Sequence, residues 1–410
     1  MKHTHSFGIR LVALLLSLTY VQSMFGQEAY FPPKGTWERR TADQVKLDPV
    51  KLKEAVDFAI ANESKSPRSQ ELGQTRSFGQ APFGEIIGVM KDRGNATGII
   101  IRNGYIVSEW GETSRVDMTH SVTKSFLASV VGLALDRKLI RSLQDKVVDY
   151  DAPTGMYRPY QRYDDADEFG RSKLIELFNT EHNRKITWEH MLRQTSDWEG
   201  TLWGKPDWAD RPDRDPSKWL GRVRGEPGTA FEYNDVRVNA LALAALNVWR
   251  KPLPQVLKQD LMDEIGASDS WRWHGYENSY VVLDGQIVQS VSGGGHWGGG
   301  MFINAYDMAR FGLLTANKGK WQGKQVLSEA FLDQAKKPTS VNPTYGFMNW
   351  FLNTDKKLYP NAPASATIHE GNGPNIIYVD TENDLVVVIR WLQNDKIDEF
   401  LGKLLASVKK

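Results

Sequence analysis

The chain has 410 residues, 40% of them hydrophobic and 25% charged, which is globular composition with enough length for two domains or one large domain carrying an insertion. Lysine and arginine number 51 against 50 aspartates and glutamates, a net charge of +1, so no basic field points to nucleic acid. Cysteine is absent, which excludes disulfides, thiolate zinc sites, iron-sulfur clusters and lipid-modified cysteine.

At the N-terminus a basic stretch, Met1 to Arg10, precedes the uncharged run Leu11 to Gln27, with small residues near Ser23 and Gly26. This pattern predicts a cleaved secretory signal peptide over 1–26; the apolar run is shorter than the roughly 20 residues a spanning helix needs. Phe31-Pro32-Pro33-Lys34-Gly35 reads as an extended arm, and Asp48-Pro49 opens a helix whose apolar stripe is Leu52, Ala55, Val56 and Ala59. From Glu63 to Gly94 the chain is polar with scattered glycine and proline, and reads mostly as loop. Two β-rich runs around Asn103-Gly104, Gly98 to Trp110, predict a hairpin.

The hairpin leads to Thr119-His120-Ser121-Val122-Thr123-Lys124, the head of a helix that is small or apolar on nearly every side and therefore predicted to be buried. Positions i and i+3 share a helix face, so Ser121 and Lys124 meet, with the serine near the N-terminal amides that favour a developing oxyanion. Taken alone, Ser-x-x-Lys is a common tetrapeptide, and a serine opening a helix is usually a cap. His120 is expected to be structural.

Helical patterns dominate 143–270, including Thr187 to Leu192 and Val238 to Leu246, separated by polar loops such as Asp164 to Glu168. Within this stretch Gly225 to Asn239 is a tight turn followed by Tyr233 at the start of an apolar helix; beside an ammonium a phenol can hold or shuttle a proton. Nine of the fourteen tryptophans fall between Trp188 and Trp297, more readily explained as core than as an aromatic-walled pocket. The run Ser292 to Gly300 lacks the Lys-Ser/Thr of a phosphate cradle and reads as a flexible turn near the site, with His296 and Trp297 as candidate substrate contacts.

Near the C-terminus Thr367 to Gly373 precedes two strand runs, Asn375 to Asp380 and Leu385 to Trp391, joined by Thr381 to Asp384 as a second hairpin. A last helix presents Ile397, Phe400, Leu401, Leu404, Leu405 and Val408 on one face. Strands early and late with helices at both termini predict an α+β protein. One antiparallel sheet is assembled from residues 27–142 and 271–410, with a mainly helical domain, 143–270, inserted. His369-Glu370 lacks a second histidine at helical offset, so zinc is not expected.

The segments around Ser121-x-x-Lys124, Tyr233-Asn234-Asp235 and His369-Glu370-Gly371, in that order, resemble the serine β-lactamase and penicillin-binding-protein superfamily. The likeness is to its esterase-like branch of class C β-lactamases, carboxylesterases, D-aminopeptidases and 6-aminohexanoate oligomer hydrolases. Ile186 to Ser196 and Gly299 to Gly312 add to it, and the resemblance covers about Thr97 to Leu405.

It implies a β-lactamase-like fold in which Ser121 is acylated, Lys124 deprotonates it, Tyr233 relays the proton, and the amides of Ser121 and Asn372 form the oxyanion hole. Asp235, His369, Gly371, His296 and Trp297 are the residues expected to face the substrate. Two departures stand out. The third residue of the family's Tyr-x-Asn motif is Asp235, with asparagine displaced to Asn234; Asp235 paired with Lys124 would favour the ammonium and oppose its role as a base. The Lys-Thr-Gly motif is replaced by His369-Glu370-Gly371, which removes a fixed cation for a carboxylate and favours an ester or amide over a β-lactam. The expected protein is thus a periplasmic or secreted serine hydrolase of a small-molecule ester or amide. No metal or cofactor is expected, nor any nucleic-acid partner or membrane association beyond export. The alternatives are a penicillin-binding DD-peptidase or β-lactamase, or a non-catalytic binding protein of the same fold.

Overall fold

Strands from both ends of the chain share one antiparallel sheet in the computed structural model, which describes residues 29–157 and 174–409. The expected signal peptide and the Asp164–Glu168 loop lie outside the described residues. The helices that position the site are α1 (Pro49–Ala61), α2 (Thr123–Asp136), α3 (Asp235–Trp249), α4 (Ala305–Ala316) and α5 (Ile397–Leu405). The strands, in chain order, begin with β1 (Thr97–Arg102), β2 (Tyr105–Trp110), β3 (Asp117–Met118), β4 (Thr154–Met156) and β5 (Leu174–Ile175). They continue with β6 (Arg272–Leu283), β7 (Gln286–Val291), β8 (Gly300–Ile303), β9 (Phe351–Leu352), β10 (Thr367–Gly371), β11 (Asn375–Asp380) and β12 (Leu385–Arg390).

The principal sheet runs β9-β10-β11-β12-β1-β2. Asn103 (φ 53°) and Gly104 (φ 84°) make the two-residue turn that closes β1 on β2, the left-handed pair such a hairpin requires. Register pairs Ile99 with Val388 and Ile100 with Val387. Alternation along the strands then sends Ile99, Ile101 and Val388 into one core with α2 and α4, and Ile100, Val387 and Tyr378 into another with α1 and α5. Every residue of β11 and β12 is consequently buried. A second sheet, β3-β8-β6-β4-β5 with β7 beside β6, meets α3 through β7.

Asp48 caps α1 as its Asp-Pro start implies, accepting from the amides of Val50 and Lys51. Residues 123–134 of α2 are all buried, and α3 is buried from Asp235 to Asn247, so these two helices form the centre of the molecule rather than a surface layer. The stretch 63–94, expected to be mostly loop, also holds a short helix, Gln70–Arg76, capped by Ser69. Its buried face is Gln70 and Gln74 instead of aliphatic residues, so hydrophobic periodicity does not mark it. Between Asp197 and Tyr233 the chain is mostly irregular and is fixed by side chains. Asp197 pairs with Arg222, Arg224 and Arg237, and Arg224 reaches Asp207. Of the nine clustered tryptophans seven are buried; Trp208 and Trp219 stack on each other at 4.1 Å, partly exposed.

Candidate active site

Ser121 lies in a 3-10 turn, His120–Val122, that runs directly into α2. His120 holds a left-handed φ of 50°, a strained conformation that tips the turn so that Ser121 is half-exposed while its neighbours Val122 to Ser125 are buried. One helical turn on, the Lys124 ammonium is wholly enclosed, and its Nζ donates to Ser121 Oγ at 2.8 Å. Asp235 Oδ1 is 2.6 Å from the same Nζ, and the Tyr233 ring centroid is 4.5 Å away. Hydroxyl, amine, phenol and carboxylate from α2 and the start of α3 thus converge on one point.

Tyr233 is placed by its successor. Asn234 caps α3 through Oδ1 to the amides of Val236 and Arg237, while its own amide donates to Gln194 Oε1 at 2.7 Å and its Nδ2 to the Asp207 carbonyl at 2.6 Å. Gln194 in turn donates to the Tyr345 hydroxyl, whose ring meets Tyr233 edge-on at 6.2 Å. Behind Lys124 and Asp235 runs the glycine segment: a Cβ on Gly294 would stand 2.3 Å from both Lys124 Nζ and Asp235 Oδ2. Only glycine lets the backbone approach this closely, and the His296 amide uses the approach to donate to Asp235 Oδ2 at 3.1 Å.

Electrostatics follow from burial and pairing. Burial would push the Asp235 carboxyl up, but the Lys124 ammonium and then the His296 and Arg211 charges hold it below the usual carboxylate range. Burial, with Asp235 adding to it, drives the Tyr233 phenol well above its ordinary value, so it is a proton donor at neutral pH. His120, held at about 4 by burial and then by Arg390 and Lys124, is neutral, with Nε2 3.0 Å from Gln70 Oε1.

Ser121 and Tyr233 open into a cavity of about 850 Å³, lined also by Phe78, Arg211, Gly371 and Asn372. The end of β10 is pressed against the serine turn: a Cβ on Gly371 would fall 2.0 Å from the Thr119 carbonyl oxygen and 3.0 Å from the Ser121 amide nitrogen. Two other cavities, about 670 and 770 Å³, flank the N-terminal arm and hold neither Ser121 nor Tyr233.

A profile of the beta-lactamase family matches residues 93–400, three quarters of the sequence, and spans Ser121, Lys124, Tyr233 and Asn372. The chain belongs to the beta-lactamase family. This is a family of serine hydrolases. Among solved structures it is similar to a penicillin-binding-protein homologue from Caulobacter crescentus, with a TM-score of 0.53, 13% identity, and coverage of 88% of this chain and 98% of that one. A candidate 6-aminohexanoate-dimer hydrolase from Bacillus anthracis aligns with a TM-score of 0.52 at 15% identity, covering 93% and 89%. A family VIII carboxylesterase aligns at 0.50 and 17%, covering 88% and 98%. At these identities the likeness establishes the fold. No curated protein matches.

In this beta-lactamase-family chain four residues expected to face substrate do not line the cavity. Asp235 is fully buried beneath Lys124 and serves as its counter-ion. His369 faces inward from β10, where its Nδ1 is 2.9 Å from Ser125 Oγ and its ring lies edge-on to Trp350 at 4.7 Å. Strand alternation turns it towards α2, and burial holds it at about 3, hence neutral. Trp297 is wholly enclosed, and His296 is buried between Phe78, Trp297 and Asp210. The glycine run that carries them is likewise buried, packed as a wall instead of a free turn.

Two residues at the site escaped the sequence reading. Asp210 is buried, accepts from the Asp235 amide at 2.5 Å and ion-pairs with Arg211, which reaches back into the cavity. They sit in Trp208-Ala209-Asp210-Arg211-Pro212, an irregular stretch with neither periodicity nor motif.

Proposed function

We propose that the protein is an exported serine hydrolase that cleaves a small-molecule ester or amide through an acyl-enzyme, with Ser121 as nucleophile, Lys124 as base and Tyr233 as proton relay. The observation that carries this reading is the 2.8 Å contact from Lys124 Nζ to Ser121 Oγ, made beside a protonated phenol at the wall of an open cavity. The amides of Ser121 and Asn372 are the oxyanion donors; each such donor typically contributes on the order of 3 kcal/mol to the barrier. Ester or amide cleavage is also what the neighbouring carboxylesterase and candidate aminohexanoate hydrolase are named for.

Because Lys124 is ion-paired with the buried Asp235 carboxylate at 2.6 Å, the base is the pair. As Ser121 attacks, the ammonium passes one proton to Asp235 and takes the hydroxyl proton, and the serine oxygen bonds to the acyl carbon. The first of these transfers turns the buried ion pair into two neutral groups, which relieves desolvation and offsets its cost; uptake of the hydroxyl proton then restores the ammonium, now facing the oxyanion, with Asp235 left neutral. Tyr233 then protonates the departing oxygen or nitrogen and is reprotonated by Lys124, whose proton is restored from Asp235. Water enters the acyl-enzyme by the reverse relay.

The test is Ser121→Ala measured with p-nitrophenyl acetate. Loss of turnover with an unchanged fold is expected; wild-type turnover would end the reading. Labelling by a fluorescent penicillin without ester hydrolysis would instead favour the penicillin-binding alternative.

A further inference from the structure

Arg211 puts a cation where the reading above sends the leaving group. Its guanidinium carbon lies 5.3 Å from the Tyr233 ring centroid and 4.9 Å from that of Phe78, and it lines the same cavity as Ser121. One amino group, Nη1, is clamped by the buried Asp210 carboxylate; Nε and Nη2 have no partner among the described residues. The backbone at Arg211 takes a left-handed φ of 54°, an unfavourable conformation for a long side chain, ahead of Pro212. A counter-ion needed only to neutralise Asp210 has no call for a part-exposed fork held within cation–π reach of two aromatic rings. Such a fork, fixed from behind and free in front, is suited to a planar anion.

We propose that Arg211 binds a carboxylate carried by the leaving group of the substrate, so that the preferred ester or amide releases an acidic alcohol or amine fragment. This rests on the assignment of Tyr233 as the group that protonates the departing atom: the fragment attached to that atom passes along Tyr233 and meets Arg211 next. The family's own cation for a carboxylate belongs to the strand that carries His369-Glu370-Gly371 here, and that strand offers none. Arg211, from the irregular stretch ahead of Pro212, lines the same cavity. Lys65 also lines the cavity and is the competing cation.

The experiment compares 4-acetoxybenzoate with its methyl ester, reading the ratio of kcat/KM for the two within each variant so that general damage cancels. Arg211→Gln should lower the anionic-to-neutral ratio about tenfold, Arg211→Lys should restore part of it, and Lys65→Ala should leave it in place. Wild-type hydrolysis of the methyl ester should also be inhibited competitively by benzoate and not by benzamide, a readout that needs no variant to fold. A ratio unmoved by Arg211→Gln with equal inhibition by benzoate and benzamide, or a ratio that follows Lys65, overturns the assignment while leaving the serine hydrolase intact. Failure of the wild type to hydrolyse either ester overturns both.

Discussion

Lys124 Nζ lies nearer to Asp235 Oδ1, at 2.6 Å, than to the Ser121 oxygen it is proposed to deprotonate, at 2.8 Å. The amine is therefore half of a buried ion pair and not a lone neutral base, which separates two mechanisms with opposite pH signatures. If the pair accepts the serine proton as a unit, activity persists to acid pH until Asp235, held below the usual carboxylate range, is itself protonated. Removing the carboxylate then obliges the ammonium to lose a proton to solvent. Asp235→Asn should accordingly move the acid limb of kcat/KM upward in pH. If Lys124 acts alone, loss of the anion that favours its charged form moves the same limb downward. The direction of the shift, measured with p-nitrophenyl acetate, decides between them.

Tyr233→Phe removes the relay and keeps the ring that packs on Lys124 and Tyr345. Proton transfer of this kind contributes roughly 10²- to 10⁴-fold. kcat on an amide should fall within that range, and less on p-nitrophenyl acetate, whose departing phenolate needs little protonation. Equal losses on both would contradict the relay.

Gly294→Ala would drive a methyl group to within 2.3 Å of Lys124 Nζ and Asp235 Oδ2. Overpacking of this kind typically costs about 1–3 kcal/mol, so the melting temperature should drop along with activity. An alanine variant with wild-type kcat and melting temperature would mean that the glycine wall does not set the ion-pair geometry.

Two buried histidines make stability depend on pH. His369 and His120 take up a proton near 6.5 when unfolded but only at about 3 and about 4 in the fold, because burial disfavours the imidazolium. Between those values the unfolded chain binds more protons. Their contribution is thus complete above about pH 6.5 and is lost as the pH falls towards 4 and then 3, each group by at most about 1.4 kcal/mol per pH unit. Urea midpoints at pH 7 and pH 5 should differ in that direction, and His369→Gln should flatten the slope. An unchanged slope would show that His369 does not titrate through unfolding.

The elements that the sequence announced are those with a local physical signature. Asn103-Gly104 sets its own hairpin, Asp48-Pro49 its own cap, and the runs of small and apolar residues in α2 and β12 belong in the interior. Ser121 and Lys124 were legible because helical geometry makes i and i+3 neighbours. The orientation of His369 was in principle readable from alternation along β10, but the motif drew it to the cleft. Arg211 and Asp210 were not readable, because their placement depends on side-chain pairing across an irregular loop. The helix Gln70–Arg76 buries amides that bond His120 and the His296 carbonyl, contacts with no counterpart in a hydrophobic pattern.

The most direct measurement is peptide mass spectrometry on protein quenched in acid during turnover of p-nitrophenyl acetate. An acetyl group on Ser121 that accumulates within one turnover and disappears on standing is the predicted result. An acetyl group on another side chain, or hydrolysis with no adduct at Ser121 at any time, would contradict the account.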